Sequence, residues 1–230
     1  MLKAHDLWSN IDSLHSSERS AGDLPVTSVV IDGSITVVYK PQTLSQLVVA
    51  SAKMACVNDV VTRVADQVLY VSRVDSDRSC RRSSGWGMVV DLLKLAFGIK
   101  QPVDQSCYAP VVVGLAQSFA PNVVHNGSGD VHLSQVDQHN VDVEIAGSAS
   151  VEVNGKVDYV QVVISGSGSF KGRHLKSMDA SLVIAGSGSI KVEAINRVRS
   201  KISGSGSITV FGGPVDKTKS ISGSGQVKYA

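Results

Sequence analysis

Aromatic residues are scarce in this chain: Phe, Trp and Tyr make up 5% of 230 residues, and there are only three cysteines. A composition so poor in rings fits narrow, repetitive β structure better than a nucleotide-binding enzyme. Hydrophobic residues reach 43%, which excludes a disordered chain and supplies a sizeable core. No apolar run is long enough for a transmembrane helix. Met1 to Trp8 lacks the uninterrupted apolar stretch of a signal peptide, so either the chain is not exported by the general route or a leader was removed. Neither G-x-G-x-x-G nor G-x-x-x-x-G-K-[ST] occurs, so no phosphate-cradling loop is expected. The six histidines (His5, His15, His125, His132, His139, His174) show no metal spacing with a cysteine. No cofactor or metal is expected.

What the chain does have is glycine, 21 residues of it, placed with a period. Gly127-Ser-Gly129, Gly147-Ser-Ala149, Gly166-Ser-Gly168, Gly186-Ser-Gly188, Gly204-Ser-Gly206 and Gly223-Ser-Gly225 begin 20, 19, 20, 18 and 19 residues apart. That period belongs to stacked solenoid coils. Apolar residues alternate on either side of each signature, as in Val141, Val143, Ile145 and then Val151, Val153. If the alternation runs through the signature, glycines face inward and serines outward. If the signature is a corner that reverses it, the serines hydrogen-bond inside. Calcium-binding rolls need an acidic residue after each glycine pair, but only Asp130 supplies one. A repeated Thr-x-Thr face is also absent.

The sequence predicts an all-β fold, a single-stranded β-helix of about 19-residue coils, with a short N-terminal helix and a helical insertion. Leu7, Trp8, Ile11 and Leu14 fall on one face of a helix over 4–16, followed by a linker from Ser16 to Gly22. Residues 1–22 thus precede a β-helix domain over 23–230. Val26–Ile31, Ser34–Lys40, Leu47–Ala50 and a hairpin over Val60–Val74 form atypical first coils that cap the stack. Met54–Val60 is a helical turn or loop. Residues 76–109 form an inserted helical segment, in which Trp86, Val89, Val90, Leu93 and Phe97 make an apolar face for a partner or membrane surface. Cys80 and Cys107 bracket the insertion. They form a disulfide in an oxidising compartment and are ordinary thiols in a reducing one, with Cys56 left over.

Charge is distributed along the axis. Residues 121–160 carry Lys156 against six acids, while 161–230 carry ten basic groups against three. The residue after each signature (His132, Glu152, Lys171, Lys191, Thr209, Lys228) is expected to stack in one outward column. Lys171, Lys191, Lys219 and Lys228 are the candidate partner-binding cations, and an acidic partner suits them. The chain stops five residues after Gly225, so the last coil is expected to present an open edge for self-association or another protein.

With the Ile-Ser-Gly-Ser-Gly-Ser-Ile repeats, Gly33-Ser-Ile-Thr-Val-Val-Tyr-Lys40 and Asp66-Gln-Val-Leu-Tyr-Val71, the chain resembles the auto-transporter adhesin head GIN domain family over about 25–75 and 110–230. That resemblance implies a mostly bacterial β-helix, exported or surface-attached, with no established enzymatic activity. No catalytic residue is assigned. The dense acidic options, Asp142 with Glu144 and Asp137 with His139, read as solvated surface. The expected role is therefore a non-enzymatic binding or adhesion surface at the cell envelope. The alternatives are a structural subunit of a larger assembly and, third, a glycan-active enzyme. Expected partners are a second copy or another protein, an acidic glycan, or a membrane touched through 83–103; no nucleic acid is expected.

Overall fold

The computed structural model of the protein describes residues 15–19, 26–41, 46–51, 54–74 and 111–230. Four long strands dominate: β9 (Asp130–Gly147), β10 (Ser150–Gly166), β11 (Ser169–Gly186) and β12 (Ser189–Gly204), each one coil of the solenoid. They stack in parallel register, so that Gly147, Gly166, Gly186 and Gly204 lie one above another. β13 (Ser207–Phe211), β14 (Asp216–Ser222) and β15 (Gln226–Tyr229) continue the stack.

Each coil has one strand arm before its signature and one after it. The inward columns are apolar: Ile145, Ile164, Ile184 and Ile202 before the signature, and Val131, Val151, Phe170, Ile190 and Ile208 after it, all buried. At roughly 1.5–3 kcal/mol per fully buried side chain, these ladders are the main favourable term. Phe170 is the one large ring among them, and Gly172 makes room for it. A Cβ on Gly172 would stand 2.4 Å from the ring.

The two glycines of the signature do different work. The first takes positive φ (Gly186, +134°), a region side chains rarely adopt. The second is buried over the isoleucine of the coil below: a Cβ on Gly188 would lie 2.7 Å from Ile164 Cγ2. The serine between them, such as Ser187, is exposed. Serines therefore face solvent, and the chain turns its corner at the first glycine.

The first coils depart from the repeat as expected of a cap. β2 (Ser28–Gly33) stacks on β8 (Asn122–Gly127), and β3 (Thr36–Pro41) on both β7 (Val111–Gln117) and β9. Gly33-Ser34-Ile35 is a degenerate copy of the signature. Gly33 has φ +98°, aligns with Gly127, and Ser34 Oγ lies 2.7 Å from Ser128 Oγ. Beyond these the pairing turns antiparallel. β5 (Val60–Ala65) and β6 (Val68–Arg73) form the expected hairpin over Asp66-Gln67, both at positive φ, and β4 (Gln46–Ser51) runs against β7. The expected helical turn is α1 (Met54–Asn58).

Two expectations are corrected here. Residues 1–14, which carry most of the predicted N-terminal helix, lie outside the described residues, but His15–Arg19 is strand β1, antiparallel to β4, where a linker was expected from Ser16. β1 covers the edge that β4 would otherwise leave open. The Arg19 guanidinium fixes it by donating to the Val57 and Val60 carbonyls. Second, Cys56 is fully buried on α1 and is disulfide-bonded. With three cysteines in the chain, that leaves no room for the expected Cys80–Cys107 bridge. Peptide mapping without reduction is expected to find Cys56 in a cross-linked peptide and one free thiol per chain. A Cys80–Cys107 cross-link with Cys56 free would contradict this.

Candidate binding surface

Parallel register converts the repeat into straight outward columns. His132, Glu152, Lys171, Lys191, Thr209 and Lys228 are successive partners in the ladder, as the sequence predicts. At the acidic end His132 Nδ1 lies 3.6 Å from Glu152. At the other, Lys171 and Lys191 are exposed neighbours at one strand spacing, about 4.8 Å. Neither has an ion-pair partner among the described residues. Arg173 adds a third cation on the same arm, its guanidinium 4.7 Å from the centroid of the Phe211 ring.

Lys219 does not join them. It pairs in register with Ser200, in the inward column of Val162 and Leu182, and stands exposed, like every residue of β14. Lys217, in the inward column of Val198, carries its Nζ to 5.0 Å from the Tyr229 ring. Lys217 and Lys219 thus hold inward register positions on β14, and inward charges of this kind blunt an edge against strand addition. Among the described residues β14 pairs only with β12, and β15 only with β13. Trp86, Val89, Val90, Leu93, Phe97, Cys80 and Cys107 lie outside the described residues.

The segment joining the two arms holds an open groove of about 690 Å³ that runs across several coils. Its charged end has Lys156 Nζ 3.0 Å from Asp137 and His139 Nδ1 2.6 Å from Asp158. Its apolar end has Met178 and Ile195, about half exposed. The side chains of His139 and Asp158 are 95% and 67% exposed. Among the described residues no group of three or more His, Cys, Asp or Glu is placed to hold a metal ion, and no helix is long and apolar enough to cross a membrane.

One polar side chain sits inside the solenoid. His125 takes the place of an isoleucine in the ladder Ile31, His125, Ile145, Ile164, and is completely buried. Neither ring nitrogen has a hydrogen-bond partner. Burial pushes its pKa below the usual 6.5. The Ile35 backbone, near the ring but not at hydrogen-bond geometry, and then Asp130 and Asp32 act in the opposite direction. The sequence signal was the single break in the isoleucine column.

Comparison with known proteins places the fold. No curated protein matches the sequence. A solved "putative adhesin" from Bacteroides fragilis superposes with a TM-score of 0.59 at 16% identity, covering 94% of this chain and 97% of its own. A "putative lipid binding protein" from Parabacteroides distasonis gives 0.54 at 18% identity, covering 94% and 96%. At such identities the likeness is one of fold. The repeat region, residues 105–214, matches the model of the family described as "Putative auto-transporter adhesin, head GIN domain".

Proposed function

We propose that this domain is a non-enzymatic binding module that holds an acidic glycan along its outward basic column. The observation that carries it is the alignment of Lys171 with Lys191, exposed, adjacent, and without a counter-ion among the described residues. Two like charges held one strand apart repel, and an acidic ligand spanning both relieves that repulsion. Arg173 extends the contact toward Phe211, which offers a ring beside the cations. The fold suits the role, because a solenoid presents the same side-chain position at every coil to a ligand that itself repeats. Lys228 continues the column, whereas Lys219 has no part in it.

Calorimetric titration with a uronic-acid oligosaccharide and a neutral oligosaccharide of equal length tests this. The wild type is expected to bind the charged sugar only, and less tightly as salt rises. Lys171→Glu with Lys191→Glu should weaken binding about ten-fold or more, equivalent to about 1.4 kcal/mol. Lys219→Glu should leave it unchanged. Equal affinity for the neutral sugar, or an unaffected double variant, contradicts the proposal.

A further inference from the structure

The arm before the signature carries a different pattern on its outward face. In one column Asp142, Gln161, Ser181 and Arg199 are successive partners, and in the next Glu144, Val163, Val183 and Lys201. Both run from negative through neutral to positive along the solenoid axis. None of Asp142, Glu144, Arg199 and Lys201 has an ion-pair partner among the described residues. Acids elsewhere on the surface do: Asp137 with Lys156, and Asp179 and Asp216 with Arg197. Val163 and Val183, between the charged ends, are half-buried on the outside of the sheet.

A column that reads negative, neutral, neutral, positive is its own complement when reversed. We propose that this face docks a second copy of the chain, antiparallel, about a two-fold axis that lies along the strands between the coils of Val163 and Val183. That operation keeps each column on itself and reverses coil order. Glu144 then meets Lys201 of the other copy, Asp142 meets Arg199, and Val163 meets Val183, each twice. A parallel arrangement would set Glu144 against Glu144 and Lys201 against Lys201, and is excluded by repulsion. The next outward column holds only short side chains along these coils, Ala146, Ser165, Ala185 and Ser203, so the sheets can approach to about 10 Å. Six coils at about 4.8 Å and an arm about 20 Å wide give about 500 Å² per copy. The total, about 1,000 Å², is at the lower edge of specific interfaces, so the dimer is weak and reversible. A second copy matches both charged columns at once, which an unrelated partner would have to do by coincidence.

Sedimentation velocity of the full chain over a protein concentration series tests this by charge reversal. The wild type is expected to dimerise with rising concentration, less so at high salt. Glu144→Lys places Lys against Lys201, and Lys201→Glu places Glu against Glu144, so each alone should weaken dimerisation about ten-fold. Mixing the two single variants should restore it, since each then meets its opposite charge, and so should both changes in one chain. All four side chains are exposed or half-exposed, and matching wild-type melts establish that the variants fold. A monomer at every concentration overturns the proposal. So does a dimer indifferent to the single reversals, or one that mixing fails to restore.

Discussion

Gly186→Val is expected to lower the melting temperature by about 6–12 °C or to prevent folding, while Ser187→Ala changes it by less than about 2 °C. Two effects add at Gly186. Its φ of +134° is one that a β-branched residue cannot adopt without strain, and a Cβ there would stand 2.4 Å from the Gly166 carbonyl oxygen of the coil below. Strain and overpacking together cost about 3 kcal/mol or more. Neither the Gly166 backbone nor the isoleucine ladder beside it can move without shifting the next coil. Ser187 is exposed, and its loss removes only a solvated hydroxyl. Paired thermal melts check this. Equal losses would mean that the serine, not the glycine, holds the corner.

The second large effect concerns His125. With a folded pKa depressed below 6.5, the imidazole stays neutral in the native state while the unfolded chain takes up a proton as pH falls through 6.5. Stability is therefore lost downward from about pH 6.5 until the folded pKa is reached, by up to about 1.4 kcal/mol per pH unit. Replacing the ring should flatten that slope, but the substitution has a steric condition. In later coils a Cβ on the second glycine would strike the isoleucine below, at 2.6 Å for Gly168 over Ile145 and 2.6 Å for Gly206 over Ile184. Register places Ala149 in that relation to His125, where the ring has no Cγ2 branch and a methyl group is tolerated. His125→Ile alone should therefore cost about 1–3 kcal/mol through overpacking. Adding Ala149→Gly should recover it and remove the two unpartnered nitrogens, leaving the double variant at least about 1 kcal/mol more stable than the single. Denaturant melts at pH 7.5 and about pH 5.5 read both effects. Simple additivity of the two changes, or an unchanged acid slope, would contradict the account.

The repeat made the solenoid legible, because alternation and a period near 19 fix both the inward face and the coil stacking. The Lys171–Lys191 alignment follows from them by counting. Lys219 was legible by the same count, since it shares parity with Ile221 and stands where Leu182 and Val162 stand; charge suggested the outer surface, and register overrules charge. The strand over His15–Arg19 was not legible. A polar edge strand has one buried neighbour and no apolar alternation to betray it. Gly33-Ser34-Ile35 was hidden by an isoleucine in place of the second glycine. The groove depends on unequal coil lengths, which appear as the register shifts between Gly172 and Lys176 and between Ser177 and Asp179. The pairing of Cys56 obeys no spacing rule, because disulfide connectivity is set by proximity in the fold.

That the basic column is the ligand face is tested most directly by amide chemical-shift mapping of the protein titrated with a uronic-acid oligosaccharide. The predicted result is a continuous set of shifted amides at Lys171, Gly172, Lys191, Val192 and Thr209, with Glu144, Val163, Val183 and Lys201 unmoved on the other arm. Shifts confined to that other arm or to the groove at Asp137 and Met178, or no shifts at all, would contradict it.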